Sequence, residues 1–128
     1  MRKSNYKERP LALERHKNGV HVFRWAIEEV TRPAMEEGGE AVVEYECYEV
    51  FVENGSSNQT TEVAIDALWG NGVEQKLIND YNAAKEGVFT GEKAARALAA
   101  YTQFLQDRQS LKDEIAAAYE ESAGEGAE

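Results

Sequence analysis

The sequence is poor in the residues from which disulfides, metal sites and rigid turns are built. Its 128 residues include one cysteine, two histidines and two prolines. A single cysteine excludes a disulfide framework within the chain, and two histidines without a cysteine cluster do not make a zinc site. Cys47 stands between Glu46 and Tyr48. The acidic neighbour disfavours a reactive thiolate, so we interpret Cys47 as a buried structural thiol.

The chain also lacks long apolar runs. No stretch approaches the length of about 18 apolar residues that a membrane-spanning helix needs. The first residues show no apolar stretch of the kind found in a secretory signal. The sequence therefore predicts a cytoplasmic protein that makes no contact with a membrane.

Positive charge is scarce in total but concentrated at the start. The 14 Lys and Arg against 24 Asp and Glu give a formal net charge of −10, which argues against binding nucleic acid through its phosphates. Residues 1–25 nevertheless hold seven bases and two acids. Such a segment can dock on the acidic body, on a second copy or on an acidic partner, but basic tails are usually solvated. We predict a flexible basic arm over residues 1–9.

The residues that are present favour an antiparallel sheet first. Apolar segments at 11–13, 20–30 and 41–52 are separated by turn residues and have the composition of strands. Pro33 cannot donate to a strand ladder and ends the second segment. These segments predict a three-stranded antiparallel meander, which needs a covering layer to be stable.

The first turn decides which side chains share a face of this meander. A two-residue turn at Asn18-Gly19 mixes polar and apolar side chains on both faces. A three-residue loop with Gly19 in the left-handed region sets Leu13 opposite Phe23. We prefer the second register because it gives one apolar face, formed by Leu11, Leu13, Phe23, Trp25 and Ile27.

Three helical patterns follow the strands. Thr60 or Thr61 can cap a helix that ends near Trp69. Residues 73–85 form a second helix, and residues 91–119 form the longest, about 43 Å at 1.5 Å per residue. The helices supply the layer that the meander needs.

Together these elements predict an α+β fold. It consists of an N-terminal three-stranded antiparallel meander followed by two or three helices, the last one long. We assign residues 10–119 to a single domain. Residues 120–128 are acidic and small, and they have nothing to bury. We predict a disordered acidic tail there.

The longest helix carries the candidate interaction surface. Its apolar positions recur at steps of three and four, which defines a narrow seam. Such a seam can pair with another chain or, more commonly, pack inside its own domain. The candidate surface comprises Tyr101, Leu105, Arg108, Leu111 and Ile115.

No motif for catalysis, a cofactor or a metal is found. The chain has no nucleophile elbow, phosphate-binding loop or dinucleotide fingerprint. Glu44 and Glu46 share a strand face, but such pairs are usually the solvated side of a sheet. His16 and His21 lie on opposite faces in the preferred register and cannot share a metal there. We therefore predict no catalytic, cofactor-binding or metal-binding residues, and no enzyme.

Two short segments carry a resemblance to known proteins. At residues 77–84 (LINDYNAA) and 101–108 (YTQFLQDR), the chain resembles small uncharacterised proteins from prophage-like regions of gut bacteria. In layout the resemblance covers residues 20–119. It implies a virion-associated or accessory role, and it carries no functional residues with it.

Three classes of function stay open from the sequence. The first is a non-enzymatic structural or protein-interaction module, phage-derived if the resemblance holds, that binds a protein partner or forms a homo-oligomer. The second is an acidic regulatory decoy that binds a basic protein. The third is an enzyme with an unrecognised site, which would need a pocket with convergent polar groups.

Overall fold

The described residues form one antiparallel sheet and three α-helices. The computed structural model describes residues 1–53 and 55–126, with side chains as far as Ser122. The strands are arranged in the order β1-β4-β3-β2, which confirms the α+β class and the long last helix. In chain order the elements are β1 (Ser4–Tyr6), β2 (Leu13–Arg15), β3 (His21–Arg32), β4 (Val42–Val52), α1 (Ser57–Trp69), α2 (Val73–Lys85) and α3 (Gly91–Gly126).

The sheet has four strands where the sequence predicts three. The predicted meander corresponds to β2, β3 and β4, and β1 adds a strand beside β4, with Tyr6 opposite Tyr45. β1 lies within residues 1–9, for which the sequence predicts a flexible arm. Its three residues are too few and too polar to show alternation, and the strand forms because β4 supplies hydrogen-bond partners.

The preferred register between β2 and β3 is confirmed. Leu13 lies opposite Phe23, and Gly19 in the connecting turn has a left-handed φ of 76°. The expected position of Leu11 on the apolar face is wrong. β2 begins only at Leu13, and Leu11 is 65% exposed, because the chain leaves the ladder there to cross the sheet.

One face of the sheet, which we call the helix face, carries the core. α1 and the second half of α3 cover the side chains that β3 and β4 direct toward them. Ile115 of α3 is completely buried, so this helix closes the core. The buried cluster comprises Phe23, Trp25, Val50, Val52, Ala64, Leu111, Ile115 and Ala118.

A β-bulge interrupts β3 beside the core. The register against β4 shifts by one residue between Trp25 and Glu28, and Ala26 has a left-handed φ of 52°, an uncommon conformation for a residue with a Cβ. Beyond the bulge no residue of either strand is buried from Ala26 to Arg32 or from Val42 to Glu46. The bulge therefore separates the packed half of the sheet from a two-stranded ribbon.

The opposite face, which we call the strap face, is covered by the beginning of the chain. Residues 7–12, the strap, connect β1 at one edge to β2 at the other. Arg24 donates from Nη1 to the Leu11 carbonyl at 3.1 Å and from Nε to a Glu49 oxygen at 2.7 Å. The Tyr6 hydroxyl donates to the same Glu49 oxygen. One buried ion pair thus fastens both β1 and the strap.

Burial decides the ionisation of this network. Burial alone lowers the pKa of Arg24, but its hydrogen bonds to Glu49 and Tyr6 outweigh that effect and hold the pKa above its ordinary value. The hydrogen bond to Glu49, together with burial, raises the pKa of Tyr6. Cys47 is buried nearby as predicted. Burial and the charge of Glu49 raise the pKa of its thiol, which disfavours the thiolate form.

The helix boundaries differ from prediction at two points. α1 is capped by Ser56, whose Oγ accepts from the Gln59 amide at 3.1 Å, so the predicted caps Thr60 and Thr61 lie inside the helix. The backbone of Ser56 is extended, as is typical of an N-cap residue. The predicted span of α2 is confirmed.

The last helix is longer than its apolar pattern. α3 continues to Gly126, beyond the predicted end at residue 119. Residues 120–126 therefore have helical backbone, and residues 127–128 of the predicted disordered tail lie outside the described residues. Helix propagation needs no apolar face once a packed segment has nucleated it.

Candidate functional site

The predicted seam of α3 divides between different surroundings. Leu111 and Ile115 are buried in the core beneath the helix. Tyr101 packs on α2 instead, with its ring centroid 4.5 Å from that of Tyr81. These three residues are therefore occupied within the domain.

The other two seam residues lie where α3 passes from α2 to the sheet. Leu105 is 47% exposed. Arg108 is partly buried and borders a hollow of about 280 Å³, whose other lining residues are Glu62, Ile65, Asp66, Trp69, Gly70 and Glu74. Because α3 changes its packing partner along its length, one apolar pattern does not give one continuous surface.

A different part of α3 faces open space beside the sheet. Two hollows adjoin there, of about 440 and 370 Å³. Both are bordered by Trp25, Ala26 and Glu114, so they form one groove, which we call the α3 groove. Volumes of this size suit small organic groups or side chains of a partner.

The larger half of the groove, the aromatic hollow, has indole and phenol walls. β3 contributes Trp25, β4 contributes Tyr48 and α1 contributes Trp69. The rings of Trp25 and Tyr48 lie 5.6 Å apart. The remaining lining residues are Ala26, Leu68, Asp107, Ser110, Leu111 and Glu114. This half therefore combines aromatic faces with two carboxyl groups and contains no base.

The smaller half, the bulge hollow, lies between the strap and α3. The lining bases are Arg9 of the strap and Arg24 of β3, and the lining acids are Glu114 and Glu121 of α3. The bulge residues Ala26 and Ile27 form the sheet side of the hollow. The bulge thus shapes a wall of the groove, a common position for such irregularities.

The acids of the groove follow the helix axis. Asp107, Glu114 and Glu121 are spaced by seven residues, so they share one side of α3. At 1.5 Å per residue, neighbouring carboxyl groups are about 10.5 Å apart along the axis. The groove therefore presents negative charge at regular intervals along its length.

Glu114 is the carboxyl group common to both hollows. Burial raises the pKa of Glu114 above its ordinary value, because the neighbouring apolar walls disfavour the charged form. Among residues 1–53 and 55–122, no side chain forms an ion pair or a hydrogen bond with Glu114. Glu114 is nevertheless an exposed residue, so its carboxyl group is open to a cation from solution, whose attraction would offset the partial desolvation.

The chain itself places a cation against one wall of the groove. The ammonium group of Lys3 lies 5.3 Å from the centroid of the Tyr48 ring, within the range of cation–π attraction. It also lies 3.9 Å from a carboxylate oxygen of Glu28. Lys3 thus places a cation within reach of one ring of the aromatic wall.

Neither histidine lines the groove, and the two have different partners. His16 lies 2.5 Å from a carboxylate oxygen of Glu14 at the surface. His21 is buried, and its Nδ1 lies 3.0 Å from the Tyr119 hydroxyl. Within the described part of the chain, no three His, Cys, Asp or Glu residues are grouped as a metal site would require.

The pair of glutamates on β4 shares one cationic partner. Arg32 donates from Nε to Glu44 at 2.9 Å and from Nη2 to Glu46 at 2.6 Å. Both contacts are at the surface, on the ribbon beyond the bulge. The pair belongs to a cross-strand ion network.

Sequence reasoning missed the α3 groove. Its aromatic wall joins β3, β4 and α1, whose meeting depends on the tertiary fold. The acids at 107, 114 and 121 do leave a signal, namely a seven-residue spacing beside the apolar seam. Because the chain has 24 acids, this spacing indicates a groove only when the structure shows the aromatic wall beside it.

Comparison of the chain with models of protein families, with curated proteins and with solved structures finds no match. In the part of the chain that the structure describes, no helix combines the length and apolar character needed to cross a bilayer. The α3 groove must therefore be interpreted from its own residues.

Proposed function

We propose that this protein is a non-enzymatic interaction module that binds a basic segment of a partner protein in the α3 groove. The observation that carries the proposal is the aromatic hollow, where three aromatic rings and two carboxyl groups converge. One of these rings, that of Tyr48, already has the ammonium group of Lys3 beside it. A lysine or arginine side chain matches both features, since its cationic head is attracted to carboxylates and its stem to aromatic faces.

The magnitudes favour a ligand with several basic residues. A cation on an aromatic face contributes about 0.5–2 kcal/mol, and an exposed ion pair about 0.2–1 kcal/mol. One side chain alone therefore binds weakly. Several basic side chains distributed along Asp107, Glu114 and Glu121 add their contributions and give a measurable affinity. The net charge of −10 attracts such a segment from a distance.

An acidic regulatory decoy is the second candidate, and the net charge is what favours it. A decoy acts through exposed carboxylates spread over its surface, so salt screens its binding almost completely. Binding in the α3 groove keeps an apolar and aromatic contribution at high salt. The two candidates therefore differ in how much affinity survives a rise in ionic strength.

The first experiment is a calorimetric titration with a capped lysine- and arginine-rich peptide. Tryptophan fluorescence provides a second readout, because Trp25 and Trp69 line the groove. We expect Glu114→Gln to weaken binding about fivefold, which corresponds to about 1 kcal/mol. The matched control is Glu92→Gln, which removes the same charge from an exposed site at the start of α3, and it should change affinity less than twofold.

Either of two results would contradict the groove as the binding site. Equal losses in both variants would assign binding to diffuse surface charge and thus to the decoy. Absence of binding by any basic peptide at low salt would reject both candidates. A thermal melt of each variant must accompany the titration, so that a loss of affinity is not mistaken for a loss of fold.

A further inference from the structure

β3 is much longer than the strand that pairs with its outer edge. β2 lies opposite only His21–Phe23 of β3, and a further backbone bond on this side runs from the Arg24 amide to the Ala12 carbonyl at 2.7 Å. β3 continues to Arg32. Among the described residues, the edge of β3 beyond Arg24 has no strand partner, and an open strand edge is a template for pairing with another chain.

The direction of one backbone bond fixes the directions of its neighbours, because these directions alternate along a strand. Arg24 donates toward β2, so Trp25 directs its amide toward β4, where it lies opposite Tyr48. Tyr48 is therefore bonded to β3. The residues two and four positions before it on β4, 46 and 44, have the same direction, since the bulge does not interrupt β4.

Beyond the bulge the same reasoning assigns the residues of β3. Glu28 and Val30 lie opposite these two residues of β4, so their backbone groups are bonded within the sheet. Glu29 and Thr31 alternate with them and direct both their amides and their carbonyls to the open edge. The strand thus presents two residues with a donor and an acceptor each, and Pro33, which has no amide, follows them.

We propose that a second copy of the chain binds this edge, with residues 28–32 of the two β3 strands paired antiparallel about a two-fold axis at Val30. Glu29 of one copy then lies opposite Thr31 of the other, which gives four main-chain hydrogen bonds in total. The sheet becomes continuous through both copies. Such a two-fold interface is self-complementary, so the assembly closes as a dimer.

Charge and backbone direction together select this register. Glu28 of each copy lies opposite Arg32 of the other, and opposite charges on paired strands attract. Two neighbouring registers also keep outward-directed residues opposite one another. One of them sets Glu29 opposite itself, where like charges repel. The other sets Glu29 opposite Pro33, which has no amide to donate.

The side chains of this ion pair are accessible to a second copy. Arg32 has a side chain that is 47% exposed, and it donates from Nε to Glu44 and from Nη2 to Glu46. Its Nη1 has no hydrogen-bond acceptor among the described residues. The side chain of Glu28 is 65% exposed, with Lys3 at 3.9 Å, and Glu28 lies opposite Glu46 on β4. An arginine from a second copy offsets the repulsion between these two glutamates.

The dimer is expected to be weak. The net charge of −10 on each copy opposes association, and the paired segments are short. We expect a dissociation constant on the order of 0.1 mM.

The dimer goes beyond the proposed function and does not depend on it. None of residues 28–32 lines the α3 groove, so the grooves of both copies stay open. A partner with two basic segments can occupy both grooves, which raises its affinity without any new contact.

Sedimentation equilibrium of the full chain, up to about 1 mM protein, measures the dimer. Two charge reversals test the register. Glu28→Arg sets arginines opposite one another in its own dimer, and Arg32→Glu sets glutamates opposite one another. Each variant alone should associate at least about tenfold more weakly than the natural chain. An equimolar mixture of the two should recover the dimer, because both cross-strand pairs are then attractive.

The mixture also controls for folding, since two misfolded variants would not form the dimer when they are combined. Glu92→Arg is the control for net charge. It reverses the charge of an exposed residue at the start of α3, away from the edge of β3. It should leave the dissociation constant within about twofold.

Amide exchange measured by NMR locates the contact on the natural chain. Most chains are paired at about 1 mM, so the amides of Glu29 and Thr31 should exchange about threefold more slowly there than at about 0.05 mM. The amides of Glu28 and Val30, which are already bonded to β4, are internal controls and should keep their rates.

Four results would each overturn the proposal. The first is a natural chain that is monomeric at about 1 mM. The second is a dimer that neither charge reversal weakens, and the third is a mixture of the two variants that stays monomeric. The fourth is a dimer in which exchange at Glu29 and Thr31 does not depend on protein concentration. None of these measurements uses a basic peptide, so the groove function is tested separately.

Discussion

The two faces of the sheet are stabilised by different kinds of interaction. On the helix face, Phe23 and Ile115 are buried by apolar contacts alone. On the strap face, Arg24 is nearly as well buried and is held by an ion pair with Glu49 and a hydrogen bond to the strap. The apolar side chains of Val22 and Cys47 are also buried on that face. A site in an apolar core accepts many apolar side chains of similar volume. A buried charge, in contrast, destabilises the fold when its oppositely charged partner is removed.

This difference explains how a short polar segment finds a unique position. β1 and the strap have little apolar surface with which to bind the sheet. The buried pair gives them directional contacts instead, through the Tyr6 hydroxyl and the Leu11 carbonyl. The helix face therefore provides most of the stability, and the strap face fixes the placement of the N-terminal residues.

The largest expected effect comes from opening the helix face. Ile115→Ala should reduce the free energy of unfolding by about 4 kcal/mol, because it leaves a cavity in a completely buried site. Urea unfolding with an unchanged m-value measures the loss. Leu105→Ala on the exposed part of the same helix is the control and should cost less than about 1 kcal/mol. Similar losses in both variants would show that α3 does not close the core.

Removing one member of the buried ion pair should cost slightly less. Arg24→Met leaves Glu49 buried without its guanidinium, and we expect a loss of about 3 kcal/mol. The double variant with Arg24→Met and Glu49→Leu should recover about half of that loss, since two apolar side chains need no partner but the Tyr6 hydroxyl loses its acceptor. Chemical unfolding of the four-member cycle measures the coupling. A double variant as unstable as the single one would show that the ion pair itself supplies stability.

The hydroxyl that fastens β1 should have a smaller effect. Tyr6→Phe removes the donor to Glu49, and we expect a loss of about 1.5 kcal/mol, as for hydrogen bonds to charged groups. Thermal unfolding measures it. Tyr45→Phe, at the position opposite Tyr6, is the control and should stay within about 0.5 kcal/mol. An unchanged melting temperature for Tyr6→Phe would mean that β1 is held by its backbone alone.

The smallest expected effect is a pH dependence where β3 meets α3. Burial, and then the charge of Arg15, lower the pKa of His21, so near pH 6 the unfolded chain binds more protons than the folded one. Stability from this group is present above its unfolded pKa of about 6.5 and is lost as pH falls below it.

Comparison of His21→Asn with the natural chain isolates this dependence. Urea midpoints measured from pH 7.5 to 5 should fall less steeply in the variant, because asparagine takes up no proton. His16→Gln leaves His21 in place and should not flatten the curve in this way. Parallel curves for His21→Asn and the natural chain would contradict a buried neutral imidazole.

The packing around His21 also explains why its neighbour is glycine. A Cβ on Gly55 would lie 2.3 Å from the His21 ring, so any larger residue would displace the imidazole. The Tyr119 hydroxyl contacts His21 at 3.0 Å and Thr60 at 2.6 Å. The site therefore ties β3, α1 and α3 together at one point.

Local signals predicted the parts of the fold that depend on neighbouring residues. The turn at residues 16–20 fixed the register of Leu13 against Phe23, since only one loop length gave an apolar face. The glycines at 70, 72 and 87 bounded α2 correctly. These features need only the chemistry of a few consecutive residues.

Features that depend on distant residues were not predictable. β1 forms through pairing with β4 and through the contact of Tyr6 with Glu49, 43 residues away. No glycine at or beside Ala26 indicates the bulge in the sequence. The α3 groove needs four elements in place before its walls meet. In each case the interaction joins segments whose proximity is a result of folding, so no local pattern encodes it.

The order of the elements along the chain has a consequence for translation. Tyr119 contacts His21 across 98 residues, and the side chains that close the core from α3 follow all the strands. While a nascent chain emerges from the ribosome, the apolar helix face of the sheet stays uncovered until α3 has emerged. During that interval it is exposed to chaperones and to neighbouring chains. A slow synonymous codon that delays the emergence of residues 111–118 from the ribosome would lengthen that exposure.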